Sequence, residues 1–174
     1  MKITRSSKTT ISFATQKKRD ILNEIMDEYS HIANIFIEMF FGNSFQKKDL
    51  KKDITGVPES WLSARMRQCC AREALGMVQG AVRSAAEKGM IAPVKPVHTG
   101  RKMILSSQTV RIEKGHNSFD VWLVIHSVGN KLKLQIPLKS HRHINMFSEW
   151  KLCDSVVIHR KYVMFTFEKE VTSQ

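Results

Sequence analysis

Arg65, Gln68, Arg72, Gln79 and Arg83 recur so that, wound at about 100° per residue, they fall within roughly one quarter of a helix. Arginine presents a planar fork of donors that fits a phosphate, and glutamine can donate to sugars and bases. A stripe of these two residue types can therefore follow a nucleic-acid backbone. Trp61 shares the quarter and Gly76 lies within it, while carboxylates are sparse along it, whereas a face kept merely soluble mixes both signs. A second concentration of charge follows in the alternating run Lys131-Leu132-Lys133-Leu134-Gln135-Ile136. It continues beyond Pro137 into Lys139, His141, Arg142 and His143. Successive side chains of a strand point to opposite faces, so the run is expected to bury Leu132, Leu134 and Ile136. Lys131, Lys133 and Gln135 then stay in water, where they can meet phosphates. Arg101 and Lys102 ahead of one strand, and Arg160 and Lys161 between two others, complete the set expected to contact nucleic acid.

Catalytic constellations are scarce by comparison. His141 and His143 form the one close pair among seven histidines, and no CxxC or HExxH accompanies them, which favours contact with phosphates over zinc. Cys69 and Cys70 fall on the same helix, with Cys70 on its apolar side, so packing is expected of them rather than nucleophilic chemistry. Metal-assisted cleavage of a phosphodiester needs converging carboxylates. Asp120, Asp154, Glu168 and Glu170 occupy unrelated strand or end positions, and no glycine-rich phosphate loop is present. No catalytic residue, metal ligand or cofactor is expected, and the chain is read as noncatalytic.

Lys plus Arg outnumber Asp plus Glu by 28 to 16, a formal net charge of +12, which points to polyanionic partners. The 174 residues, 42% of them hydrophobic, suffice for one domain or two small ones. No apolar run approaches the ~20 residues that span a bilayer, and Met1-Lys2-Ile3-Thr4-Arg5 lacks the apolar stretch of a signal peptide. Three cysteines without framework spacing fit a reducing compartment. A soluble cytoplasmic protein without a membrane partner is expected.

The elements that must position these residues run strand, helices, strands. Lys8 to Phe13 reads as a first strand. Ile21, Leu22, Ile25, Met26, Tyr29, Ile32, Ala33, Phe36 and Phe40 then recur at helical spacing up to Gly42, a natural C-terminal stop. Residues 43–58 read as a polar connection with at most one helical turn. A second helix is predicted from about Glu59 to Lys88, with Met66, Cys70, Ala74, Met77, Val78, Ala81, Val82 and Ala85 facing the first. Gly89 to Gly100, with Pro93 and Pro96, is a break. Met103 to Ile112, Phe119 to His126, Lys131 to Ile136, Cys153 to Ile158 and Tyr162 to Phe167 then read as strands. Turns are expected at Gly115-His116-Asn117-Ser118 and Gly129-Asn130.

Two blocks are similar to a known family. Thr9-Thr10-Ile11-Ser12-Phe13-Ala14-Thr15-Gln16, with the helix through Leu22, Tyr29 and Asn34, resembles the N-terminal strand and first recognition helix of TnpB (OrfB) transposon proteins and the related type V CRISPR effectors. Phe119 to Leu123, Lys133 to His143 and the closing strand pair Val156 to Glu168 resemble the wedge barrel of those proteins. Ala14 stands where many relatives carry a proline. The resemblance implies a half that grips guide RNA and reads a short DNA motif beside the target, followed in the family by a RuvC nuclease domain.

The expected architecture is α+β: a small wedge or OB-like antiparallel β-barrel from residues 1–13 and 96–174, with a helical recognition segment at 14–95 inserted after the first strand. The expected partners are a structured guide RNA, target DNA, and a RuvC-bearing subunit or a second copy of the chain. The protein partner would dock on Tyr162 and Met164, since that strand is apolar on both faces. A standalone basic RNA-binding or ribosome-associated protein is the competing reading.

Overall fold

A computed structural model describes residues 1–115 and 118–171. Its elements in chain order are β1 (Lys2–Thr10), α1 (Gln16–Phe40), a 3-10 turn at Lys47–Asp49, the one-turn α2 (Lys52–Thr55) and α3 (Ala64–Glu87). These are followed by β2 (Lys102–Ser106), β3 (Val110–Lys114), β4 (Val121–Ile125), β5 (Leu134–Leu138), the one-turn α4 (Arg142–Asn145), β6 (Lys151–His159) and β7 (Tyr162–Glu170). The α+β class follows, with every strand pair antiparallel. No helix among the described residues is long and apolar enough to cross a membrane.

Each long helix begins on a hydroxyl. Thr15 accepts from the Lys18 amide and Ser63 from the Met66 amide, satisfying N–H groups that the first turn leaves without partners. The apolar spacing of α1 buries Leu22, Ile25, Met26, Tyr29, Ile32, Ala33, Phe36, Ile37 and Phe40. Gly42 then turns the chain at φ +78°, a region that favours glycine. The connection after it is less solvated than its composition suggests, because Leu50 and Thr55 are buried and Phe45 packs on the core. Val82 departs from the predicted core face of α3. It sits at the margin of the buried arc and is 49% exposed, whereas Ala85 remains buried.

The strands form a four-stranded sheet in the order β1-β7-β6-β2 and a three-stranded sheet in the order β3-β4-β5. Among the described residues no ladder joins the two, so the expected closed barrel is not formed. The cause is visible in the segment expected as one strand from Met103 to Ile112. Thr109 turns back on the Ser106 carbonyl through both its amide and its hydroxyl, sending β2 to one sheet and β3 to the other. The N-terminal strand does lie against the last one, pairing from Lys2 with Glu170 to Thr10 with Tyr162. It therefore starts earlier than the expected Lys8 and ends before Phe13. Pro137, expected to end its strand, lies inside β5 opposite Trp122. β5 is the edge of its sheet, where a missing N–H costs no ladder bond. His116 and Asn117 of the expected turn lie outside the described residues.

The helices and both sheets share one hydrophobic core. Val163, Phe165, Val156, Ile158, Met103 and Leu105 enter it from one sheet, and Leu123, Ile125, Leu134, Ile136 and Leu138 from the other.

Candidate nucleic-acid interface

Gly129 positions the centre of the candidate surface. A Cβ there would lie 2.1 Å from the Trp61 carbonyl oxygen and 3.0 Å from the Ser63 nitrogen, so only glycine lets the 127–131 loop come this close to the start of α3. Ser63 then fixes the loop. Its amide donates to the Val128 carbonyl at 2.6 Å, and the hydroxyl that accepts from Met66 donates to the Ser127 carbonyl. Ser127, Asn130 and Lys131 hold φ of 53°, 49° and 56° in the same loop, a left-handed conformation that L-residues adopt only against a steric cost.

This docking joins two regions far apart in the sequence. Arg65, in the first turn of α3, reaches the Ser127 hydroxyl at 3.5 Å. The β4–β5 ladder ends with Ile125 opposite Leu134, the residues next to His126 and Lys133. Burial lowers the pKa of His126, and the positive fields of Arg111, Arg65 and Lys133 lower it further. Three cations from α3, β3 and the approach to β5 thus bear on one imidazole. Arg111 and His126 were not legible in the sequence as site residues; Arg111 lies opposite Val124 in the β3–β4 ladder, two residues before His126.

Along α3 the stripe faces outward as its spacing predicts. Arg65, Arg72, Gln79 and Arg83 are exposed and Gln68 is half-buried, while the opposite side buries Met66, Cys70, Ala74 and Val78. From Arg65 to Arg83 the helix rises by about 27 Å. Arg72 also borders a small cleft with Cys69, Ile104 and Ser155. Cys69 and Cys70 are both buried, and burial raises the Cys70 thiol well above its usual range, which suits packing.

The other expected residues divide by what they touch. Arg101, Lys102, Lys131, Lys133, Lys139, Arg142 and Lys161 are exposed. His141 and His143 are tied to β1 instead. His141 Nε2 meets the Thr9 hydroxyl at 3.2 Å while its Nδ1 accepts from the Ile144 amide, and His143 Nδ1 meets the Ser7 hydroxyl at 2.9 Å. Both His141 ring nitrogens and His143 Nδ1 serve the docking of α4, while His143 stays exposed beside Lys139 and Arg142. Arg160 is likewise engaged internally. It donates to the Gly100 carbonyl at 3.0 Å, to Asn23 at 3.0 Å and to Asp27 at 2.6 Å. Tyr162 stacks on His159 at 4.1 Å, with the Lys8 ammonium 4.7 Å from its ring centre and Lys102 across the ladder from His159. Tyr162 therefore lies in a row of rings and cations, while Met164 lies beside Val157.

Among the described residues only five of the 28 lysines and arginines form an ion pair with a carboxylate: Lys2, Lys95, Arg111, Lys151 and Arg160. The rest are not neutralised within the fold, and such charge favours association with polyanions. Among the described residues no group of three or more His, Cys, Asp or Glu side chains is arranged to hold a metal ion. The chain matches no protein-family model and no curated protein sequence.

Proposed function

We propose that the chain is a noncatalytic nucleic-acid-binding module that grips a structured guide RNA and target DNA within an RNA-guided complex of the TnpB or type V kind. Cleavage, where it occurs, is supplied by a RuvC-bearing partner. The observation that carries the nucleic-acid part is the docking of the 127–131 loop on the start of α3, which brings Arg65 of the helical stripe to the loop that carries Lys131 and leads to Lys133. Exposed cations grouped in this way bind phosphates and leave sequence discrimination to base pairing. The guide-RNA part rests on the family resemblance. In this reading α1 and α3 form the recognition segment, and the two sheets form a wedge-type domain whose barrel is left open. The half-buried strip of Met164, Val157 and Ile104 is the surface for a RuvC-bearing subunit or a second copy of the chain. Sequencing the RNA that copurifies with the chain from its native host tests the reading. One defined noncoding RNA is expected; ribosomal RNA would replace this reading with that of a ribosome-associated protein, and absence of RNA would overturn both.

A further inference from the structure

Helix α1 lines two clefts of opposite charge. Glu24, Asp27 and Glu28 face one of them, beside Trp61. Gln16, Arg19 and Asn23, at i, i+3 and i+7, face the other, together with Thr10 at the end of β1 and Arg160 and Lys161 in the β6–β7 turn. Arg160 stands between the two, its guanidinium fixed by Asn23, Asp27 and the Gly100 carbonyl and its charge balanced by Asp27.

The second cleft encloses about 530 Å³ and no carboxylate lines it. That volume is within the range of small-ligand sites, roughly 300 to 1,000 Å³. Arg19 makes one long contact, at 3.4 Å to the Gln16 side-chain oxygen, and Asp20 is engaged by the Gln16 amide at 2.7 Å without reaching the cleft lining. Lys161 is exposed, and neither it nor Arg19 forms an ion pair among the described residues. Two uncompensated positive charges therefore face one concave space. A phosphodiester brings a single negative charge, whereas a phosphomonoester brings about 1.5 to 2 at neutral pH, with three terminal oxygens as acceptors. The charge balance of the cleft matches the monoester.

We propose that this cleft binds the phosphomonoester of a nucleotide, with Arg19 and Lys161 as its cationic ligands and Arg160 as a fixed donor at its wall. Two sources offer this chemistry: the 5′-phosphate end of an RNA strand and a free mononucleotide. The first rests on the nucleic-acid reading above, and the second does not.

Two titrations separate them: the same RNA oligonucleotide with a 5′-phosphate or a 5′-hydroxyl, followed by fluorescence anisotropy, and AMP against adenosine by calorimetry. The phosphorylated strand should bind at least about tenfold tighter, the scale of a charge-assisted hydrogen bond. In the Arg19→Ala/Lys161→Ala variant that ratio should fall to about one, whatever happens to the hydroxyl strand itself. It should also shrink below about pH 6 as the monoester loses its second charge. AMP binding that the variant abolishes, with no end preference in the RNA, would assign the cleft to a free mononucleotide. Equal binding of the two strands together with no AMP binding overturns the proposal while leaving general RNA binding intact. AMP binding with no RNA binding keeps the cleft and removes the nucleic-acid reading.

Discussion

The hydroxyl of Tyr29 on α1 donates to the carboxylate of Glu73 on α3 at 2.7 Å. The same carboxylate oxygen accepts the backbone N–H of Ile104 at 3.1 Å. Two helices are thereby tied to β2, an edge strand whose free polar groups would otherwise offer a template for foreign pairing. The second Glu73 oxygen is 3.5 Å from His98 Nε2, and neither atom has another partner. His98 Nδ1 accepts from the Gly100 amide, which places the ring proton on Nε2, facing the carboxylate. Burial pushes the Glu73 pKa up. Hydrogen bonds from His98 and Tyr29 and from the Ile104 amide outweigh it, so the carboxyl titrates below its ordinary 4.5.

A group whose folded pKa is depressed stabilises the fold above its unfolded pKa and loses that contribution as pH falls through the folded value. Glu73→Gln is therefore expected to cost about 1–3 kcal/mol at neutral pH. Thermal melts of the two proteins from about pH 7 to about pH 3 should converge in acid, below the ordinary carboxylate range. A gap that stays constant across that interval would show that the charge contributes nothing and that the cost comes from replacing an acceptor oxygen with an amide donor.

Arg160 holds the β6–β7 turn, α1 and the Gly100 region together, in a partly exposed position where an ion pair is worth little and the neutral hydrogen bonds count for as much. Arg160→Ala should lower stability by about 1–2 kcal/mol. Arg160→Lys should recover only part of it, since an ammonium cannot reproduce a planar fork of donors. Chemical denaturation checks the order of the three proteins.

The elements legible in the sequence are those set by local periodicity. The spacing of Leu22, Ile25, Tyr29, Ile32 and Phe36 is enough to give α1, and the outward stripe of α3 follows from the same arithmetic. What stayed hidden depends on contacts distant in sequence. Nothing local to Met103–Ile112 says that the chain changes sheets at Thr109, because both halves carry the same strand-forming residues. Arg160 reads as a surface cation until Asn23, Asp27 and Gly100 are brought to it. That His141 bonds Thr9 and the exposed His143 bonds Ser7 was equally hidden, because α4 and β1 are far apart in the sequence. Of the candidate surface, Arg65, Arg72, Arg83, Lys131 and Lys133 were legible individually. Their junction was not, because it depends on Gly129 meeting the backbone of Trp61.

Cleavage is the sharpest point at which the proposed role differs from that of a nuclease. Glu168, one of the carboxylates near the end of the chain, lies between Lys2 and Lys151, an arrangement that neutralises it within the sheet. Incubation of the purified chain with labelled RNA or DNA and magnesium or manganese should give no products. Activity that survives rigorous purification and disappears on substituting one of its own Asp or Glu residues would make the protein an enzyme.

The exposed stripe of α3 gives the most direct measure of binding. Each phosphate contact releases counterions, so the logarithm of the binding constant falls with the logarithm of salt by about 0.7 to 0.9 per contact. Arg65, Arg72 and Arg83 face solvent, and none of them forms an ion pair among the described residues, so replacing all three with Ala should leave the fold and its melting behaviour intact. The salt slope for a structured RNA should then flatten by about 2 to 3, one increment for each lost contact. Restoring Arg65 alone should return more affinity than restoring Arg83 alone, because Arg65 is the residue that touches the 127–131 loop, which carries Lys131. Equal recovery from either would mean that the junction adds nothing to the stripe, and an unchanged slope in the triple variant would mean that the stripe is a solvated surface.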